Sequence, residues 1–219
     1  MADVLLVLKT LAAAVALAGA LVALGVRWLD ARHRWHCWGG WVFCGAMAVL
    51  ALAWLGSALV ADSPFRVVAA LLFAYPTWSG LRHARRSDRG PGRLEGLVAW
   101  AFLAVGIGLF VWATRAILVD EAVMDGLRWF GLATLAVILA GPDVRGQVTT
   151  EEDRGPSRIV NHLGMMLAGG FAALMSLLLT LVSTQFAIIG AVMALFITVH
   201  LIVHWSSLVL TQGVPKIRE

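Results

Sequence analysis

Six histidines, His33, His36, His83, His162, His200 and His204, are the residues of this 219-residue chain best suited to chemistry. Imidazole changes charge near neutral pH and is the commonest neutral metal ligand. His200 and His204 stand at i and i+4, so on a helix they share a face, the spacing at which two imidazoles hold one metal ion. A neighbouring helix carrying His162 would place a third ring opposite His204, and imidazoles from two facing helices are axial ligands of a b-type haem. His162, His200 and His204 are therefore the candidate cofactor-binding residues, with haem b the candidate cofactor and the identity of any metal open. The plainer reading of the same residues is neutral histidines bonded to Ser, Thr or carbonyl groups. His33, His36 and His83 lie beside arginines and read as solvated side chains. Cys37 and Cys44, seven apart, fall on one helix face and read as small apolar residues, with no Cys-x-x-Cys motif in the chain.

The elements that must position these residues follow from composition. Hydrophobic residues make up 60% of the chain, charged residues 14%, and the mean hydropathy is +0.85, against about 45–50% and about 25% in soluble domains. A soluble fold is excluded. Uninterrupted apolar runs predict an all-α bundle of seven transmembrane helices in one domain covering 1–219, with spans near 3–27, 40–61, 65–82, 95–119, 124–140, 158–182 and 186–211. The third contains Pro76, and the fifth is short and ends at the Gly141-Pro142 breaker. Tyr75-Pro76 is the one kink-prone step inside a span, where a kink lines a cavity or adjusts packing. The first run reads as a retained span and not a leader, because Asp3 stands where a basic segment would and the apolar stretch continues to Val26.

Basic residues alternate between loops. Arg27, Arg32 and Arg34 follow span one; Arg82, Arg85, Arg86, Arg89 and Arg93 follow span three; Arg145, Arg154 and Arg158 follow span five; Lys216 and Arg218 lie in the tail. The opposite side holds only Lys9, Arg66, Arg115 and Arg128, with Asp120, Glu121 and Asp125 among them. The positive-inside rule then predicts the N-terminus outside and the C-terminus in the cytoplasm. The sequence pI of 9.8 becomes a topology signal, with the lipid bilayer as partner and no nucleic acid. All six histidines fall in the cytoplasmic half.

Spans one to three and five to seven run in the same direction around a linker helix, as in a three-plus-one-plus-three parallel repeat. His36, Phe65 and His83 in one half match His162, Phe186 and His204 in the other, with the Phe-to-His spacing the same in each and the His-to-Phe spacings, 29 and 24, differing by an insertion or deletion. Several activities are disfavoured by chemistry. A retinal Schiff base needs a buried lysine, and the chain offers only Lys9 and Lys216; no P-loop or Gly-x-Ser-x-Gly elbow occurs; no carboxylate falls at mid-membrane.

At His36-Cys37-Trp38-Gly39-Gly40-Trp41-Val42-Phe43, Gly45-Ala46-Met47 and Phe73-Ala74-Tyr75 through Gly80-Leu81-Arg82, the chain resembles an uncharacterised family of small prokaryotic integral-membrane proteins. His162-Leu163-Gly164-Met165-Met166 is similar to that family's His-x-x-Arg-Met segment, with Met165 where the arginine would be. The resemblance implies architecture and a place in the cytoplasmic (inner) membrane of a prokaryote, and no activity. The sequence leads to the expectation of a non-catalytic accessory or structural subunit of a membrane assembly, with other membrane subunits as partners. The alternatives are a haem or metal redox protein using the cytoplasmic-side histidines and a small-solute facilitator.

Overall fold

The computed structural model describes residues 2–28, 33–85, 92–148, 156–181, 190, 193, 196–204 and 207, and all regular structure among them is α-helical. Six helices follow in order: α1 Ala2–Trp28, α2 His33–Ala61, α3 Pro64–Arg85, α4 Arg93–Leu118, α5 Val123–Val148 and α6 Pro156–Leu181. Apolar sequence favours helices here because a helix satisfies its backbone hydrogen bonds within one segment, as a hydrocarbon environment demands. By length and composition α1, α2, α4, α5 and α6 are able to cross a membrane. The predicted seventh span, 186–211, lies mostly outside the described residues; those described within it are helical.

α3 falls short of spanning hydropathy because Arg66, Arg82 and Arg85 share it with Thr77 and Ser79. One face of its middle is buried by its neighbours, with Leu72, Phe73, Tyr75, Pro76, Thr77 and Ser79 inside, while Leu71, Ala74 and Trp78 on the other face are exposed.

The chain divides into two compact units. One comprises α1, α2, α3 and α6, in which α1 packs on α2 and α6, and α3 on α2 and α6. Small residues set the α1–α2 distance. Ala12, Ala13, Ala16, Ala20 and Ala23 are buried along α1, and the backbones nearly touch at Gly19 and Gly39. A Cβ at Gly19 would lie 2.7 Å from the Phe43 nitrogen, and one at Gly39 2.8 Å from the Ala23 nitrogen. Close backbone approach through small residues is the usual means of helix association in membranes. Phe43, Met47, Leu50 and Leu72 fill the centre, and Gly169 of α6 comes so near that a Cβ there would meet the Phe43 ring at 2.6 Å. The α2–α3 turn is tight, with Asp62 in the left-handed region at φ 46°, a conformation Asp tolerates better than most residues.

The second unit is the α4–α5 hairpin. α4 opens with the Glu95 carboxylate accepting from the Gly92 N–H at 2.7 Å, a cap for the first turn. At its end the Ala122 N–H reaches back to the Ala116 carbonyl at 2.8 Å, and Glu121 takes φ 51°. α5 does not stop at Gly141-Pro142 as the breaker predicts but runs on to Val148. Proline removes one helical N–H, and packing of the continuing turn compensates: Asp143 and Val144 are buried, and Gln147 lies so near Gly96 that a Cβ there would come within 2.9 Å of it.

Candidate functional site

The site lies in the α1–α2–α3–α6 unit, near the first turns of α2 and α6. α2 starts at His33, several residues before the predicted span, which puts His36 and Cys37 on the helix. The Gly19–Gly39 contact holds α1 close enough for the His36 Nδ1 to donate to the Ala23 carbonyl at 2.8 Å. His36 is therefore a half-buried, anchored ring, not the solvated side chain its arginine neighbours suggested. His162, in α6, donates through Nδ1 to the Gly80 carbonyl of α3 at 3.2 Å. A carbonyl only accepts, so in each neutral ring the proton sits on Nδ1 and Nε2 is the basic edge. The two rings meet edge to face, with centroids 6.1 Å apart and planes at 73°.

Between them opens a pocket of about 210 Å³. Cys37, Gly40, Trp41, Phe43 and Cys44 of α2 line it, with Pro76, Gly80 and Leu81 of α3 and Met166 of α6. The wall is mostly carbon and sulfur, and its strongest polar groups are the two imidazoles. Pro76 thus lines the cavity, while Tyr75 beside it is buried and packs on Trp78 with ring centroids 5.9 Å apart. The Arg82 guanidinium lies over the other aromatic partner of this turn, 5.2 Å from the Trp78 ring centre.

His200 and His204 share a helix face, as their spacing predicts, and stack with centroids 6.2 Å apart and planes at 9°. Both are exposed. The structure thus brings together two histidine pairs, His36 with His162 and His200 with His204; the expected pairing of His162 with His204 is not one of these two. The side chains of His33 and His83 lie outside the described residues. Cys37 and Cys44 are not in a disulfide and are separated by about 10 Å of helix rise, too far to bind one ion together. Among the described residues no three His, Cys, Asp or Glu side chains converge as a metal site.

Sequence reasoning set His36 aside because of the basic residues around it. The signal that marks it is its correspondence to His162 in the proposed repeat, since the two matched positions are the ones that meet. Comparison of the chain with family models, curated proteins and solved structures returns no match.

Proposed function

We propose that this protein is a multi-pass, seven-span protein of a prokaryotic cytoplasmic membrane, N-terminus outside, acting as a non-catalytic accessory subunit. Its pocket between His36 and His162 holds a small ring-shaped ligand bearing hydroxyl or carbonyl oxygen. The observation that carries this reading is the anchoring of both imidazoles to backbone carbonyls at the wall of one apolar pocket. Imidazole rings at the wall of an apolar pocket pair with hydroxyl or carbonyl oxygen, so the pair suits a quinol or quinone head group. Size agrees with a one-ring ligand. A dry cavity of about 150 Å³ binds benzene, and about 210 Å³ leaves room for substituents but little for a haem macrocycle.

Calorimetric titration of the detergent-purified protein with a short-chain benzoquinone, and with its quinol, tests the binding. Saturable uptake at one site per chain is expected, and its absence with both forms overturns the proposal. Co-purification in mild detergent tests the accessory role, where a lone monodisperse species counts against it.

A further inference from the structure

Lys9 is a cation two turns inside α1 in a stretch otherwise apolar, and its side chain is buried, with only 8% of the residue exposed. Its ammonium lies over the Trp54 ring, 4.6 Å from the centroid. Trp54 is itself fixed, its indole N–H donating to the Ser176 hydroxyl of α6 at 2.8 Å. One turn further along α2, Ser57 donates to the Trp54 carbonyl at 2.9 Å and its own carbonyl accepts from the Arg66 guanidinium at 3.0 Å. Lys9 and Arg66 therefore contact residues one helical turn apart on α2. Lys9 makes no hydrogen bond or ion pair to any described residue, and Asp3 and Asp62, the acids at these helix ends, are exposed.

Two cations against neighbouring turns of α2, with an aromatic face beneath one of them and no carboxylate among the described residues bonded to Lys9, are an arrangement that an external anion completes. Burying an ammonium in a membrane without a counter-charge is costly, and a cation–π contact offsets only part of that cost. A lone lysine near a helix end normally extends to the headgroup region; here the Trp54 ring and the α6 contact hold it inward. We propose that Lys9 and Arg66 form a phosphate-recognition site at the end of the α1–α2–α3–α6 unit where α1 begins. It is separate from the histidine pocket, since Lys9 lies near the start of α1, whereas the carbonyl that anchors His36 belongs to Ala23, near its end. The ligand is a phosphate group, carried either by an anionic phospholipid or free in solution.

Native mass spectrometry of the full-length protein, with phosphatidylglycerol against phosphatidylcholine as competing lipids, reads the first source. Thermal stability in detergent with inorganic phosphate against chloride at equal ionic strength reads the second. Lys9→Met keeps a flexible apolar chain over Trp54, and Arg66→Gln, on a half-buried residue, guards against a misfolded first variant. The expected result is selective retention of phosphatidylglycerol, or stabilisation by phosphate, weakened about fivefold by each substitution, in line with one basic residue's contribution at an anionic surface. Selectivity for the lipid alone assigns the headgroup, and a response to phosphate assigns the free ion. No preference in either arm, or a preference that both variants keep unchanged, overturns the site.

Discussion

His36 of α2 and His162 of α6 meet edge to face with ring centroids 6.1 Å apart, each tied through Nδ1 to a carbonyl of a third or fourth helix. Four helices thus fix two imidazoles, since Ala23 belongs to α1 and Gly80 to α3. The binding function proposed for the pocket rests on this relation.

Substituting His162 by alanine removes the Gly80 hydrogen bond and part of the pocket wall. A net loss of about 1 kcal/mol is expected from the bond, read as a modest fall in unfolding temperature in detergent. A variant that is fully unfolded instead would assign His162 a far larger structural role.

The α1–α2 crossing should be the least tolerant place in its unit. Gly19→Ala and Gly39→Ala each push a Cβ into backbone at under 3 Å, and the helices must separate, at about 1–3 kcal/mol. Gly45→Ala on the same helix meets nothing within 4 Å and should be neutral or stabilise by up to about 1 kcal/mol through helix propensity. Thermal unfolding of the three variants side by side checks the contrast.

Ser176→Ala leaves the Trp54 indole N–H without its acceptor in a buried position. The expected cost is about 1–3 kcal/mol, accompanied by a shift in tryptophan emission. Equal stability of the variant would show that the indole finds another acceptor.

Much of the architecture was legible in the sequence because hydrophobic run length is a direct readout of bilayer thickness. The boundaries of α1, α4 and α6 fall within about two residues of the predicted spans. Where the reading departs, packing is the reason. α2 begins early because its first two turns pack on α1 through His36 and Gly39, and α5 continues past Pro142 because Asp143 and Val144 are buried beyond it. The site was half legible: His162 and Pro76 were marked by chemistry and by kink propensity. His36 was not, since an arginine-flanked histidine at a predicted boundary looks solvated until the neighbouring carbonyl is known. No linear pattern reveals that Trp54 lies beneath Lys9.

Orientation is open to a direct check. Cys37 is exposed near the start of α2, which the proposed topology places on the cytoplasmic side. In a Cys44→Ser background, a membrane-impermeant maleimide should leave Cys37 unmodified in intact cells and label it in inverted vesicles. The reverse pattern would invert the topology.

The most direct test of the central claim is the affinity of a short-chain benzoquinone and its quinol for the native protein and for three variants, His36→Ala, His162→Ala and His204→Ala. The account predicts saturable binding weakened about tenfold by each of the first two, the worth of one hydrogen bond to the ligand, and unchanged by the third. Binding that His204→Ala weakens as much as His162→Ala, or that neither pocket histidine affects, would contradict it.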